Sequence, residues 1–117
     1  MKENEHKEPA GQKILFVCSH NEMRSSTAET VYREEGLNAL SAGTERGANV
    51  PVSPELIRWA DLILVMEKKH QVAIETHFGD EIMNKKVIVL NIPDNYYYME
   101  PKLVSLIRKR ADPHIKP

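Results

Sequence analysis

The chain has little cysteine, little net charge and no long apolar run, and each shortage excludes a class of protein. Cys18 is its single cysteine, so an intramolecular disulfide and a cysteine-rich metal site are excluded. Sixteen Lys and Arg stand against seventeen Asp and Glu, a balance that argues against a nucleic-acid partner. No apolar run approaches the roughly 18 residues of a membrane span. We therefore expect a cytoplasmic protein that does not associate with membranes.

The length of 117 residues suits one domain with a core of its own. Residues 1–12 are polar and show no apolar periodicity, which predicts a flexible N-terminal leader. Residues 13–117 are predicted to form a single α/β domain. The sequence does not indicate an oligomeric state.

Four short apolar runs alternate with helix-like segments after the leader. Unbroken apolar runs are typical of strands buried on both faces of a parallel sheet. The predicted strands cover residues 13–18, 37–42, 61–66 and 86–91, and the predicted helices cover 28–35, 53–60, 67–78 and 101–110. This alternation predicts a Rossmann-like four-stranded parallel sheet with helices on both faces.

Ligands of such sheets bind beyond the carboxyl ends of the strands. Residues 18–25 follow the first predicted strand, and residues 92–98 follow the fourth. Because parallel strands end at the same edge of a sheet, these two segments are expected to open on a common rim.

The segment after the first strand has the makings of an anion-binding loop. Cys18 ends the strand, Arg24 follows after five residues, and a helix begins shortly afterwards. Backbone N–H groups and the helix dipole at such a turn attract an anion and favour the thiolate form of a cysteine. Arg24 can bind two oxygens of a phosphate, Asn21 tolerates left-handed backbone, and the Ser25 hydroxyl can donate to the thiolate.

The same residues also admit an ordinary interpretation. A free cysteine at the end of a strand is commonly a small buried apolar residue. A cysteine and an arginine separated by five residues also occur often by chance. The loop residues alone therefore leave both interpretations open.

Four segments, taken in order, resemble the low-molecular-weight protein tyrosine phosphatases. Residues 14–29 (ILFVCSHNEMRSSTAE) resemble the opening motif of that family, with its strand, cysteine loop and helix start. The resemblance continues at residues 41–44 (SAGT), 60–67 (ADLILVME) and 92–97 (IPDNYY). It covers roughly residues 13–110 and is greatest for a short bacterial branch described as predicted phosphatases.

The resemblance implies a role for each matching residue. Cys18 would be the nucleophile, Arg24 the phosphate clamp and Asp94 the general acid. Ser41 would support the loop, and Tyr96 and Tyr97 would flank the leaving group of the substrate. The other residues of the implied phosphate-binding loop are Ser19, His20, Asn21, Glu22, Met23 and Ser25. No metal and no cofactor is expected.

The chain also departs from the family pattern. His20 stands where the family has glycine, and Met23 stands where many members have a second cysteine. Glu22 adds a carboxylate to an anion-binding loop, so its side chain should face solvent. Asn95 replaces the proline that usually follows the acid. These departures leave a preference for phosphotyrosine open.

The expected function is a cysteine-dependent phosphomonoester hydrolase of the protein tyrosine phosphatase type, acting through a cysteinyl-phosphate. Its partner would be a phosphorylated protein or a small phosphomonoester, with phosphotyrosine, phosphoarginine, a nucleotide or an RNA phosphate as open substrates. One alternative is a phospho-ligand binding module without turnover. Another is an arsenate reductase, which with a single cysteine would need an external thiol.

Three further positions receive non-catalytic interpretations. Asp112 precedes a proline after the last predicted helix, so we interpret it as a helix stop and not as a rival acid. His70 and His77 are seven residues apart, too far for a metal pair on one helix, and are expected at the surface. Glu67 is expected to be a solvated residue at a helix start.

Overall fold

The computed structural model describes residues 11–115. Residues 1–10, which hold most of the predicted leader, lie outside the described residues, and the division into a leader and one domain stays a prediction. Within the described range, no helix combines the length and the apolar character needed to cross a membrane.

Strands and helices alternate along the chain. The strands are β1 (Lys13–Cys18), β2 (Asn38–Gly43), β3 (Leu62–Val65) and β4 (Lys86–Val89). The helices are α1 (Arg24–Glu34), α2 (Pro54–Trp59), α3 (Lys68–His77), α4 (Gly79–Ile82) and α5 (Pro101–Ala111), followed by a 3-10 turn at Asp112–His114.

The four strands form one parallel sheet in the order β2-β1-β3-β4. Phe16 of β1 lies opposite Ser41 of β2 on one side and Leu64 of β3 on the other. Leu64 in turn lies opposite Ile88 of β4. The strand that carries Cys18 is therefore an inner strand, and its carboxyl end opens between those of β2 and β3.

The sheet is covered on both faces, as predicted. One core contains alternate residues of β1 and β3 together with Ala28 and Tyr32 of α1 and Leu103 of α5. The other contains the intervening strand residues together with Ile57 of α2 and Ile74 of α3. Burial on both faces explains why the strands read as unbroken apolar runs. The predicted fold class is confirmed.

The start of α1 differs most from the prediction. The helix begins at Arg24 and not near residue 28, and no side chain caps its N-terminus. The Ser25 side chain is fully buried and contacts Cys18 and Asn21. By contrast, the Ser53 side chain caps α2 and accepts a hydrogen bond from the N–H of Leu56 at 3.2 Å.

Candidate active site

The loop after β1 curls around the sulfur of Cys18. Asn21, halfway round, has a left-handed backbone with a φ of 59°, a conformation that asparagine tolerates better than most residues. This curl directs the N–H of Asn21 at Sγ of Cys18, 3.2 Å away. The Asn21 amide therefore points inward, as the sequence predicted for the amides of this loop.

The connection from β2 to α2 supports this loop from outside. The N–H groups of Thr44 and Glu45 donate to the carbonyls of Cys18 and Ser19, both at 2.9 Å. Gly43 makes the close approach possible, because a Cβ there would lie 2.5 Å from the Ser19 carbonyl oxygen. No real Cβ contact is that short, so the position requires glycine.

Asn21 also joins the loop to α1 and β2. Its side-chain amide donates to the hydroxyl of Ser25 at 2.9 Å and to the hydroxyl of Ser41 at 2.8 Å. Ser41 then donates to Glu29, and Ser25 lies 3.0 Å from Sγ of Cys18. The structure thus brings Cys18, Asn21, Ser25 and Ser41 into one buried network.

Arg24 connects the loop to the ends of the other strands. Its side chain is only 2% exposed, and Nη1 donates to the Glu67 carboxylate and to the carbonyl of Ile92, the latter at 2.8 Å. Its Nε lies 3.8 Å from the carboxylate of Asp94. A guanidinium this buried is stable only when it is paired, and Arg24 has two carboxylate neighbours.

Glu67 is not the solvated residue expected from the sequence. Its side chain is about one-third exposed and binds Arg24 directly. Burial pushes the pKa of Glu67 upward, but the hydrogen bond and positive charge of Arg24 outweigh it and hold the pKa below its ordinary value. Glu67 is therefore ionised at neutral pH and partly neutralises Arg24.

The prediction that His70 is a surface residue is wrong. His70 is 1% exposed, because the first turn of α3 packs beneath the loop. Its Nδ1 accepts from the Glu67 N–H at 3.0 Å, and its Nε2 lies 2.9 Å from the Ser19 hydroxyl. Burial, followed by the charge of Arg24, lowers the pKa of His70 to about 4, so the ring is neutral.

A sequence signal for Glu67 and His70 was available. Glu67 directly follows the buried run of β3, and His70 stands three positions later, which is the spacing of a capping box. The structure shows one hydrogen bond of such a box, from the Glu67 N–H to Nδ1 of His70 at 3.0 Å. A polar pair at the carboxyl end of an inner strand belongs to the rim where ligands bind.

The loop encloses a small pocket with a volume of about 40 Å³. A single water needs about 10–15 Å³ on this measure, so the pocket has room for an anion of a few heavy atoms. Cys18 is 3% exposed and lies within it. The lining residues are Cys18, Ser19, His20, Glu22, Met23, Arg24 and Asp94.

The polar side chains at the mouth of the pocket are accessible to solvent. His20 and Glu22 are exposed, and for Glu22 this is the orientation that an anion-binding loop requires. Asp94 is 61% exposed. The carboxylate of the implied acid therefore lies at the entrance of the pocket, on the side of Arg24.

The implied aromatic wall does not line this pocket. Tyr96 is half-buried and packs against the core that contains α1 and α5. Tyr97 is 77% exposed. Asp112 directly follows the last residue of α5 and is its C-cap, in agreement with its interpretation as a helix stop, and it accepts a hydrogen bond from the Tyr32 hydroxyl at 2.5 Å. Residues 11–115 contain no cluster of three or more His, Cys, Asp or Glu suited to a metal ion.

Comparisons with known proteins place this geometry in a recognised fold. No protein-family profile and no curated protein sequence matches the chain. Among solved structures, the tyrosine phosphatase Wzb from Escherichia coli K30 aligns with a TM-score of 0.72 at 21% identity, covering 89% of this chain and 96% of Wzb.

Two other structures align over similar lengths. The YwlE arginine phosphatase from Geobacillus stearothermophilus gives a TM-score of 0.69 at 21% identity, over 87% of this chain and 92% of its own. A low-molecular-weight phosphotyrosine phosphatase from Vibrio cholerae O395 aligns with a TM-score of 0.67 at 22% identity, covering 87% of this chain and 93% of its own. The chain thus has the fold of the bacterial low-molecular-weight tyrosine phosphatases, which its sequence motifs predicted.

Proposed function

We propose that this chain is a cysteine-dependent phosphomonoester hydrolase. The observation that carries the proposal is the shared pocket of Cys18, Arg24 and Asp94, which come from three separate positions in the sequence. A nucleophile, a cation and an acid around one small cavity are the parts that phosphoryl transfer needs. Neither a metal nor a cofactor enters the proposed reaction.

The first step is attack of the Cys18 thiolate on phosphorus. A sulfur–phosphorus bond forms while the bond from phosphorus to the leaving oxygen breaks. The loop amides and Arg24 hold the equatorial oxygens, where negative charge is greatest. The Ser25 hydroxyl, 3.0 Å from the sulfur, and the Asn21 N–H support the thiolate.

Asp94 serves both steps as acid and base. It gives a proton to the leaving oxygen, then takes a proton from the water that attacks the cysteinyl-phosphate. The second attack breaks the sulfur–phosphorus bond and releases phosphate. The exposed position of Asp94 at the mouth of the pocket gives its carboxyl access to both the leaving group and water.

The proposed substrate is a phosphorylated protein side chain. Proteins of the same fold include one named a tyrosine phosphatase and one named an arginine phosphatase. The small, exposed pocket suits a phosphoryl group presented on an extended side chain. Tyr97, exposed and three residues beyond Asp94, is proposed to contact the leaving group.

Hydrolysis of p-nitrophenyl phosphate and of phenyl phosphate tests this function. Cys18→Ser should abolish turnover of both esters. Asp94→Asn should lower kcat/KM for phenyl phosphate by about 10²–10⁴-fold and kcat/KM for p-nitrophenyl phosphate far less, because the better leaving group needs little protonation. It should lower kcat for both esters, because hydrolysis of the cysteinyl-phosphate loses its base.

Asp80→Asn is a matched control, since Asp80 is an exposed residue on α4 outside the pocket, and should leave both rates unchanged. Turnover that survives Cys18→Ser would refute the proposal. Folded wild type that binds phosphate but hydrolyses neither ester would identify a binding module instead.

A further inference from the structure

The hydroxyl of Ser19 and the imidazole of His70 have no part in the mechanism above. Ser19 directly follows the proposed nucleophile, lines the pocket and is 7% exposed. Its Oγ lies 2.9 Å from Nε2 of His70, which is itself fully buried. A buried hydrogen-bonded pair of this kind fixes the direction of each partner's remaining donor or acceptor.

The hydrogen bonds of His70 determine its tautomer. Nδ1 accepts a hydrogen bond from the backbone N–H of Glu67 at 3.0 Å, so Nδ1 carries no proton. A neutral imidazole then carries its proton on Nε2. His70 therefore donates through Nε2 to Oγ of Ser19, and the Ser19 hydroxyl hydrogen is left for a second partner.

We propose that the Ser19 hydroxyl donates this hydrogen to a non-bridging oxygen of the bound phosphoryl group, and that His70 is the residue that positions it. Ser19 thus adds a side-chain donor to the loop amides and Arg24. The inference deepens the proposed function and rests on it for the identity of the bound anion.

Through Glu67, Nδ1 of His70 is also linked to Arg24, the proposed phosphate clamp. His70 holds the backbone N–H of Glu67, whose carboxylate binds Nη1 of Arg24. One buried side chain in the first turn of α3 is thus bonded to the Ser19 hydroxyl and, through Glu67, to Arg24. Only a neutral ring can do this, because a proton on Nδ1 would remove the acceptor for the Glu67 N–H.

Binding of inorganic phosphate, measured by calorimetry, tests the proposal without any need for turnover. Removing a hydrogen bond to a charged group weakens binding by about 10- to 100-fold, so we expect that loss for Ser19→Ala. Ser19→Thr keeps the hydroxyl and should bind phosphate nearly as wild type does. Unchanged binding by Ser19→Ala would overturn the proposal.

The role of His70 is tested by two substitutions and a matched control. His70→Phe removes both hydrogen bonds, whereas His70→Gln offers an acceptor and a donor and should restore part of the affinity. His77→Gln makes the same change at an exposed position of the same helix and should leave affinity unchanged.

A double-substitution cycle separates positioning from a general structural effect. His70→Phe should weaken phosphate binding less in the Ser19→Ala background than in wild type, because its partner is already gone. If the fold-losses in phosphate affinity of the two single variants multiply in the double variant, His70 does not act through Ser19.

Hydrolysis of p-nitrophenyl phosphate by the same variants and by Cys18→Ser distinguishes this proposal from the proposed function. Phosphate binding that follows the expected pattern in a protein without turnover would sustain the role of Ser19 and refute the hydrolase. If Ser19→Ala changes neither phosphate binding nor turnover, while turnover still depends on Cys18, the hydrolase is sustained and the role of Ser19 is refuted.

Discussion

Replacing Asn21 should destabilise the fold by an amount that depends on what replaces it. The Asn21 amide donates to the buried hydroxyls of Ser25 and Ser41 at 2.9 and 2.8 Å. Two such bonds contribute about 2 kcal/mol to the free energy of unfolding. The left-handed backbone at Asn21, with φ of 59°, adds about 1–2 kcal/mol of strain for alanine. Asn21→Ala should therefore lose about 3–4 kcal/mol in total.

Asn21→Gly is the matched comparison, because glycine loses the same hydrogen bonds without the left-handed strain. Its loss should be about 2 kcal/mol, leaving it more stable than the alanine variant by about 1 kcal/mol or more. Urea denaturation gives both free energies of unfolding. Equal stability of the two variants would refute the strain argument, and a loss below about 1 kcal/mol in both would refute the assigned hydrogen bonds.

Three further predictions concern the support of the loop, its charge and its response to pH. Gly43→Ala should cost about 1–3 kcal/mol of stability, because the added Cβ would clash with the Ser19 carbonyl. Gly47→Ala, where an added Cβ meets nothing within 4 Å, should cost far less. Equal urea midpoints for the two variants would contradict the clash at Gly43. Glu22→Gln should tighten phosphate binding about 2- to 5-fold in a calorimetric titration, with the gain shrinking as salt rises, and a salt-independent gain would exclude a charge effect. The pKa of His70 is about 4 in the folded chain and 6.5 in its ordinary state, so its stabilising contribution is present above about pH 6.5 and is lost as the pH falls toward 4. Over that interval wild type should lose more stability than His70→Gln, and parallel curves of unfolding free energy against pH would show that His70 is not held neutral.

The fold could be predicted from the sequence because burial on both faces leaves a direct trace. A strand with apolar neighbours above and below must be apolar throughout, and the runs at β1 and β3 have that character. The start of α1 could not be placed in the same way. Serine is a favoured residue at a helix N-cap, but the Ser25 hydroxyl is hydrogen-bonded to Cys18 and Asn21 inside the loop.

The site was predictable in part, for a similar reason. Cys18 and Arg24 lie close in the sequence between a predicted strand and a predicted helix, and this context together with the family resemblance indicates a loop around an anion. Glu67 and His70 reach that loop from beyond the end of the neighbouring strand β3. A contact between residues more than forty positions apart depends on the strand order, which local patterns do not encode.

The Asn21 variants and Ser19→Ala also distinguish residues that hold the shape of the loop from residues that orient a donor toward the anion. Asn21 holds the shape of the loop through buried side chains of α1 and β2. His70 orients a donor that faces the anion. Loss of the first should therefore lower stability and phosphate affinity together, whereas Ser19→Ala should lower affinity with a smaller change in stability. Urea denaturation and calorimetry on the same preparations check this difference.

The most direct test of the central claim is chemical trapping of the intermediate on Cys18. The Asp94→Asn variant is mixed with p-nitrophenyl phosphate, quenched within the first turnover and examined by peptide mass spectrometry. Because the leaving group needs little protonation while the attacking water has lost its base, a phosphoryl group should accumulate on the peptide that contains Cys18. Product released without any phosphorylated Cys18, or a phosphoryl group found on another residue, would contradict the account.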